Sequence, residues 1–143
     1  MQEVSKYCYL LYFCFDFINI IFIDHYFISR RQVINKLLTK ANIHRLLANY
    51  EAAEDTKPAV KLFTPDAQAT WLIADMDPGD PDRLFGLCDL GVGYPELGYV
   101  SFGELSRLRG PMGLPVERDL YFEPVKTLGE YAEEARSVGR VVA

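Results

Sequence analysis

The stretch ATWLIADMDPGDPDRLFGLCDL, residues 69–90, decides the fold because it places two apolar segments on either side of a strong turn signal. The first segment, Ala69–Met76, contains Trp, Ile and Thr, which favour the pleated surface of a β-sheet. The prolines, glycine and aspartates of DPGDPD are typical of a turn, and Arg83–Leu90 follows as a partner strand. The sequence therefore predicts an antiparallel hairpin, although Thr64 followed by Pro65 would also suit the start of a helix before it.

Further elements are predicted on both sides of this hairpin. VKLF, Val60–Phe63, is a short strand, LGYVS at 97–101 is another, and GLPVERDLYFEP at 113–124 contains a third. Upstream, QVINKLLTKANIHRLLANY at 32–50 has apolar residues at spacings close to helical and predicts one amphipathic helix. The polar, proline-containing segment 51–59 is interpreted as a linker.

Two helix starts are marked by capping-box spacing. Ser101 with Glu104, and Thr127 with Glu130, each place a hydroxyl and a carboxylate where they satisfy free backbone N–H groups. Gly139 suits the end of the second helix. The order of elements lacks βαβ regularity and therefore predicts an α+β fold, with an antiparallel sheet of about five strands, an N-terminal helix and two helices in the C-terminal half.

Composition limits the classes of function. A chain of 143 residues with a net charge of −5 is not expected to bind nucleic acid passively, because that affinity comes mainly from Lys and Arg that neutralise phosphates. The chain has three cysteines, and their spacing does not match that of known metal-binding motifs. We therefore expect neither a disulfide framework nor a zinc site. A reducing, cytoplasmic compartment fits this cysteine usage.

The first residues differ from the rest. Tyr7–Ile28 is apolar enough to suggest a membrane span, but acidic and amide side chains interrupt it at Asp16, Asn19 and Asp24. The composition also changes from Phe, Tyr, Ile, Asn and Lys to Ala, Gly, Pro and Asp beyond Pro58. We expect 1–32 to be an extension from a mis-assigned start or a recent fusion, and 33–143 to be one domain. A membrane or buried helix and a partner-binding segment are the alternatives, and membrane association is not expected.

Three consecutive charges occupy the last predicted strand. Because side chains alternate along a strand, one face is predicted to be apolar apart from Arg118 and the other acidic. The apolar face comprises Val116, Arg118, Leu120 and Phe122, and the acidic face comprises Glu117, Asp119, Tyr121 and Glu123. The acidic face is interpreted as a solvated surface, with a hydrated Mg²⁺ between its carboxylates as the alternative.

Arg118 and Trp71 are candidates for ligand binding, each with a structural alternative. A guanidinium on an apolar face needs a partner, for which Glu96, Glu104 or Asp89 is a candidate, or else it binds a ligand. Trp71 is either a core residue or a platform on which a base stacks. The aspartates of the DPGDPD segment imitate a calcium loop but are interpreted as a turn.

Five segments carry a resemblance to a known family. They are NKLLTK (35–40), VKLFTPDAQATWL (60–72), DPGDPDRLFGLCDLG (77–91), PELGYVSFGEL (95–105) and GLPVERDLYFEP (113–124). In these segments the chain resembles domain-of-unknown-function family 2958, a family of small bacterial proteins. Its members commonly begin near the LLTK segment, which supports treating 1–32 as an extension. The resemblance also implies an association with plasmids and other mobile elements.

Members of this family are sometimes labelled single-stranded DNA endonucleases. If that label holds here, it implies Glu117 and Asp119 as catalytic residues, with Glu104 completing a Mg²⁺ or Mn²⁺ site for which Asp89 and Asp77 are alternatives. Such an ion would activate the attacking water and neutralise charge on the phosphate. Trp71 or Tyr99 would stack a base. Outside that alternative, no cofactor and no bound metal is expected.

Two functions of different classes follow. The first is an acidic-faced interaction or accessory module in DNA-related processes that docks a basic partner protein. The second is a metal-dependent endonuclease that acts on single-stranded DNA. The first requires an exposed surface suited to a partner, and the second requires three carboxylates close to a common point.

Overall fold

The computed structural model describes residues 36–143, which form three helices and five strands. In chain order these are α1 (Lys40–Ala52), β1 (Val60–Phe63), β2 (Thr70–Asp77), β3 (Asp80–Asp89), β4 (Glu96–Ser101), α2 (Phe102–Arg107), β5 (Glu117–Arg118) and α3 (Leu128–Val138). The strands build one antiparallel sheet in the order β4-β3-β2-β1-β5. The predicted α+β fold is confirmed.

The β2–β3 hairpin is the centre of the sheet, as the sequence predicts. Its turn is tight, because Asp77 already pairs with Asp80 and the carboxylate of Asp77 accepts the N–H of Gly79 at 2.8 Å. The second half of DPGDPD therefore belongs to β3 rather than to the turn. The register shifts between Ile73 and Asp75, and this bulge adds one residue to β2.

The two faces of the sheet are covered by different helices. On one face, α3 packs through Leu128, Tyr131, Ala132 and Ala135 against Leu72, Ala74 and Leu87. On the other face, α1 packs along β2, and its Asn49 side chain donates to the carbonyl of Ala74 at 2.7 Å. Because both faces are covered, β2 is buried from Trp71 to Ala74 without the alternation of a one-sided sheet.

Helix α1 begins later than predicted. Thr39 caps it through a complete capping box with Asn42: the Thr39 hydroxyl accepts from the N–H of Asn42, and the Asn42 side chain accepts from the N–H of Thr39. A single helix from residue 32 is therefore wrong, since the chain at Thr39 is extended. The helix ends at Ala52 rather than Tyr50. Residues 32–35, the apolar run 7–28 and the predicted boundary at 33 lie outside the described residues.

The segment interpreted as a linker is an integral part of the fold. The carboxylate of Asp55 accepts the N–H of Gly129 at 2.9 Å, and the carbonyl of Thr56 accepts the N–H of Leu128 at 2.9 Å. Pro58 is buried, and Ala59 donates its N–H to the carbonyl of Ile73. The segment thus ties the start of α3 to the sheet.

The predicted N-cap residues Ser101 and Thr127 are confirmed, but the carboxylate that supports the start of α2 is not the predicted one. Thr127 and Glu130 form the complete capping box of α3, which ends at Gly139 with a positive φ of 78°. Ser101 is the N-cap of α2, but the carboxylate that supports this start comes from Asp82, which accepts the N–H of Gly103 at 2.7 Å. Both capping residues could be recognised locally, whereas Asp82 reaches α2 only through the pairing of β3 with β4.

Strand β5 is much shorter than predicted. It contains only Glu117 and Arg118, which pair with Phe63 and Leu62 of β1. The chain then turns, because the carboxylate of Asp119 accepts the N–H of Tyr121 at 3.0 Å. The prediction of an acidic strand face over residues 117–123 is therefore wrong beyond Arg118, where the strand ends.

Candidate functional site

The predicted catalytic carboxylates lie at the two edges of the sheet. Glu117 is exposed on β5, and Asp119 just beyond it lies 3.3 Å from the Nζ of Lys61. Glu104 is exposed on α2, which directly follows β4. Four strand spacings of about 4.8 Å separate β4 from β5, which amounts to about 19 Å. The structure keeps Glu117 and Asp119 at one edge and places Glu104 at the other.

The other carboxylates named as metal ligands have structural partners. Buried Asp89 accepts the N–H groups of Gly91 and Val141, both at 2.8 Å. Asp77 holds the hairpin turn, as described above. Among residues 36–143 no group of three His, Cys, Asp or Glu side chains could hold a metal ion.

Trp71 and Tyr99, the predicted base-stacking residues, differ in exposure. Trp71 is only 3% exposed on β2, on the sheet face covered by α1, so its ring contributes to the core. Tyr99 is 60% exposed on edge strand β4. Of the two, only Tyr99 presents an aromatic surface to solvent.

Tyr99 belongs to an exposed cluster that we call the edge patch, formed by Arg83, Phe85, Leu97 and Tyr99. The guanidinium of Arg83 lies 3.9 Å from the centroid of the Tyr99 ring, and the Phe85 ring lies 5.0 Å from it at an angle of 54°. Phe85 pairs with Tyr99 across the strands, and Leu87 pairs with Leu97, so these side chains share the face of the sheet that α3 covers farther in. Arg83 and Phe85 are not among the residues predicted from the sequence, although residues two apart on a strand share a face.

Two carboxylates border the edge patch. Asp77 lies 4.0 Å from Nη1 of Arg83, and Asp75 pairs with Phe85. Partial burial, and then the neighbouring charge of Asp77, raise the pKa of the Asp75 carboxyl. The border of the edge patch therefore has a negative charge that Arg83 compensates only in part.

Arg118 lies beside a cavity at the opposite edge, between β5 and the start of α1. The cavity has a volume of about 230 Å³, and its polar lining comes from Thr39, Asn42, Arg118 and Asp119. Arg118 donates from Nη1 to Oδ1 of Asn42 at 3.2 Å. The carboxylates predicted as its partners do not pair with it. Asp89 accepts the N–H groups of Gly91 and Val141, and Glu96 lies on β4 at the opposite edge of the sheet. The local sequence gave no indication of this contact, because Asn42 is distant along the chain.

Cys88, on β3, is not a reactive thiol. Burial raises its pKa to about 11, so that the thiolate is scarce at neutral pH. Its side chain shares a cross-strand position with Trp71 in the interior. This residue therefore contributes packing rather than nucleophilic chemistry.

Comparison with known proteins identifies a family but no activity. The family model described as "Protein of unknown function (DUF2958)" matches residues 37–142, a range that includes both the edge patch and the Arg118 cavity. This match confirms the resemblance found in the sequence. No curated protein and no solved structure matches the chain significantly.

Between residues 36 and 143, every helix falls short of the length and apolar character that a bilayer crossing requires.

Proposed function

The chain belongs to this family of proteins of unknown function, and we propose that its domain is an interaction module that binds an extended basic segment of a partner protein along β4. The observation that carries this proposal is the edge patch, an aromatic and apolar surface on edge strand β4 and its neighbour β3 in which Tyr99 and Leu97 are exposed. An exposed sheet edge with side chains suited to a partner is the arrangement used in β-strand addition.

The backbone of β4 supplies the first part of the argument. Within residues 36–143, β4 pairs with β3 and with no other strand. An edge strand has N–H and C=O groups directed away from its sheet, and these can pair with an added strand. Main-chain hydrogen bonds of this kind provide affinity without demanding a particular sequence.

The side chains of the edge patch supply the second part. Tyr99 is 60% exposed and Leu97 is 38% exposed, and Tyr94 in the preceding loop is 80% exposed. Tyrosine and arginine are enriched in the energetically dominant positions of protein interfaces. Stacking of Arg83 on Tyr99 holds the ring in place before a partner arrives, which reduces the entropy lost on binding.

Charge identifies the chemistry of the partner. Glu96 is exposed at the start of β4. A lysine or arginine of the added strand could pair with Glu96 on the strand that it joins, and the net charge of −5 would attract a basic segment to the protein.

The proposal is tested by fluorescence polarisation with the full chain and three peptides of equal length. One alternates Val and Lys, one alternates Val and Glu, and one alternates Gly and Lys. The first should bind, the second should not because its charge is reversed, and the third should bind more weakly because glycine disfavours strands.

Variants locate the binding surface. We expect Tyr99→Ala to weaken binding of the Val/Lys peptide about tenfold, the range of an interface anchor. Tyr121→Ala is the matched control, since Tyr121 is 91% exposed but lies beyond β5. Equal losses in both variants, or equal binding of the acidic peptide, would refute docking at β4.

The family resemblance adds expectations about the setting. It leads us to propose that the partner takes part in a DNA-related, cytoplasmic process of a plasmid or another mobile element. The single-stranded DNA endonuclease alternative draws no support from Glu117, Asp119 and Glu104, because the first two lie at one sheet edge and Glu104 lies at the other. Metal-dependent nicking of circular single-stranded DNA that is lost in the Glu117→Ala, Asp119→Ala double variant would favour that alternative over the interaction module.

A further inference from the structure

We infer that the cavity beside Arg118 binds the oxyanion group, phosphate or carboxylate, of a small organic molecule. This site is separate from the edge patch, and the inference does not depend on the proposed docking of a partner. It is carried by three observations: a positive charge with no carboxylate partner among residues 36–143, further polar groups around the same cavity, and apolar walls beside them.

The charge of Arg118 is the first observation. Its one hydrogen bond in the described structure goes to the neutral amide oxygen of Asn42, at 3.2 Å, and no carboxylate of residues 36–143 lies within 4.0 Å as an ion-pair partner. A guanidinium has several more N–H donors in a planar fork that matches phosphate and carboxylate. Because Arg118 is half-buried, an anion that reaches it is also less screened than on an open surface.

Asp119 lines the same cavity but does not neutralise Arg118. One of its oxygens, Oδ2, lies 3.3 Å from the Nζ of Lys61, and the other, Oδ1, accepts the N–H of Tyr121 at 3.0 Å. Lys61 offsets the charge of Asp119 at the cavity. The positive charge of Lys61 therefore weakens the repulsion between Asp119 and an incoming anion, and Arg118 attracts that anion.

Asn42 and Thr39 supply further polar groups at the cavity. The amide oxygen of Asn42 accepts from the N–H and the hydroxyl of Thr39, at 2.9 and 2.6 Å, in addition to Arg118. This fixes the orientation of the amide and leaves its NH₂ group as a donor. The first turn of α1 contains no acidic residue, so the partial positive charge of the helix start is not offset there and adds to the attraction of Arg118.

The remaining walls indicate that the ligand is more than a bare ion. The apolar side chains of Val60, Leu120 and Phe122 line the cavity together with the polar groups. A volume of about 230 Å³ accommodates an oxyanion attached to a small ring or aliphatic group. Contact between that group and these walls would add hydrophobic stabilisation to the charge interaction.

Titration calorimetry of the full chain at constant ionic strength tests the inference with three probes: inorganic phosphate, phenyl phosphate and benzoate. Phenyl phosphate should bind more tightly than inorganic phosphate, because only the ester contacts the apolar walls. Comparison with benzoate tells whether the site prefers phosphate or carboxylate. Failure of all three probes to bind would overturn the inference.

Two pairs of variants assign the site. Arg118→Met should weaken phenyl phosphate binding at least about tenfold, the loss expected for a charge-assisted hydrogen bond. Its control is Arg109→Met, since Arg109 is exposed and, among the described residues, its guanidinium donates hydrogen bonds to the carbonyls of Ser106 and Leu108. Unchanged binding by Arg118→Met would overturn the inference.

The second pair keeps the test valid if Arg118→Met does not fold. Leu120→Asp places a negative charge at the cavity through a side chain that is 70% exposed, and it should weaken binding of the anion. Val125→Asp, at a side chain that is 71% exposed and does not line the cavity, should not. Equal affinity in these two variants would contradict binding at the cavity.

Discussion

Gly86 shows at the scale of a single residue how closely β2 and β3 approach each other. A Cβ atom at this position would lie 2.2 Å from the carbonyl oxygen of Leu72 and 3.0 Å from Cα of Ile73, which are backbone atoms. Gly86 pairs with Ile73 immediately before the register shift of β2. The bulge therefore requires glycine in β3, even though glycine is otherwise unfavourable in a strand.

We expect Gly86→Ala to lower the free energy of unfolding by about 2 kcal/mol or more, because the clash is with backbone and cannot be relieved by a rotamer change. Gly98→Ala is the matched control, since Gly98 pairs with Gly86 across the strands and its Cβ would meet nothing within 4 Å. That variant should change stability by no more than about 0.5 kcal/mol. Urea unfolding of both variants checks the prediction, and equal losses would contradict the role assigned to the bulge.

Helix α3 shows at the scale of an element that a helix start can depend on a distant segment. Thr127 and Glu130 satisfy donors within the first turn, and Asp55 satisfies the N–H of Gly129 from the segment that follows α1. A Cβ at Gly129 would lie 2.6 Å from a carboxylate oxygen of Asp55, so this glycine makes room for the contact. The start of α3 is therefore also the point at which residues 53–59 are anchored.

We expect Asp55→Ala to destabilise the domain by about 1 kcal/mol, the usual value of a capping interaction. Glu54→Ala is the control, because Glu54 is exposed and precedes the contact. The measurement is chemical denaturation of both variants, with amide hydrogen exchange at the first turn of α3. If Asp55→Ala leaves both the stability and the exchange of Gly129 unchanged, the segment is not anchored there.

Turns and helix caps that depend on residues close together in the sequence could be predicted. The length of a strand that pairs with a distant strand could not. The hairpin around Pro78 and the caps at Ser101 and Thr127 depend on residues a few positions apart, and the structure confirms them. The length of β5 depends on the four residues of β1 and on the turn at Asp119, so alternation alone overestimated it. For the same reason Tyr99 could be named as a candidate from its residue type, whereas its contact with Arg83 depends on the pairing of β3 with β4.

At the scale of the whole domain, the two proposed binding sites lie at opposite edges of one sheet. The edge patch is on β3 and β4, and the Arg118 cavity lies between β5 and α1. About 19 Å separates the edge strands, and the strands between them are paired with one another. Coupling between sites requires an element with two arrangements that both ligands influence, and a packed central sheet offers a rigid connection instead.

We therefore expect the two sites to bind independently. Saturating phenyl phosphate, at fixed ionic strength, should change the Kd of the Val/Lys peptide by less than about twofold, and the peptide should change phosphate affinity equally little, because coupling is reciprocal. Arg118→Met should leave peptide binding intact, and Tyr99→Ala should leave phosphate binding intact. In the double variant, each ligand should lose the same affinity as in the corresponding single variant. A change of about tenfold in either direction would show that the edges communicate. The domain would then transmit the presence of a small anion to its partner surface rather than hold two separate ligands.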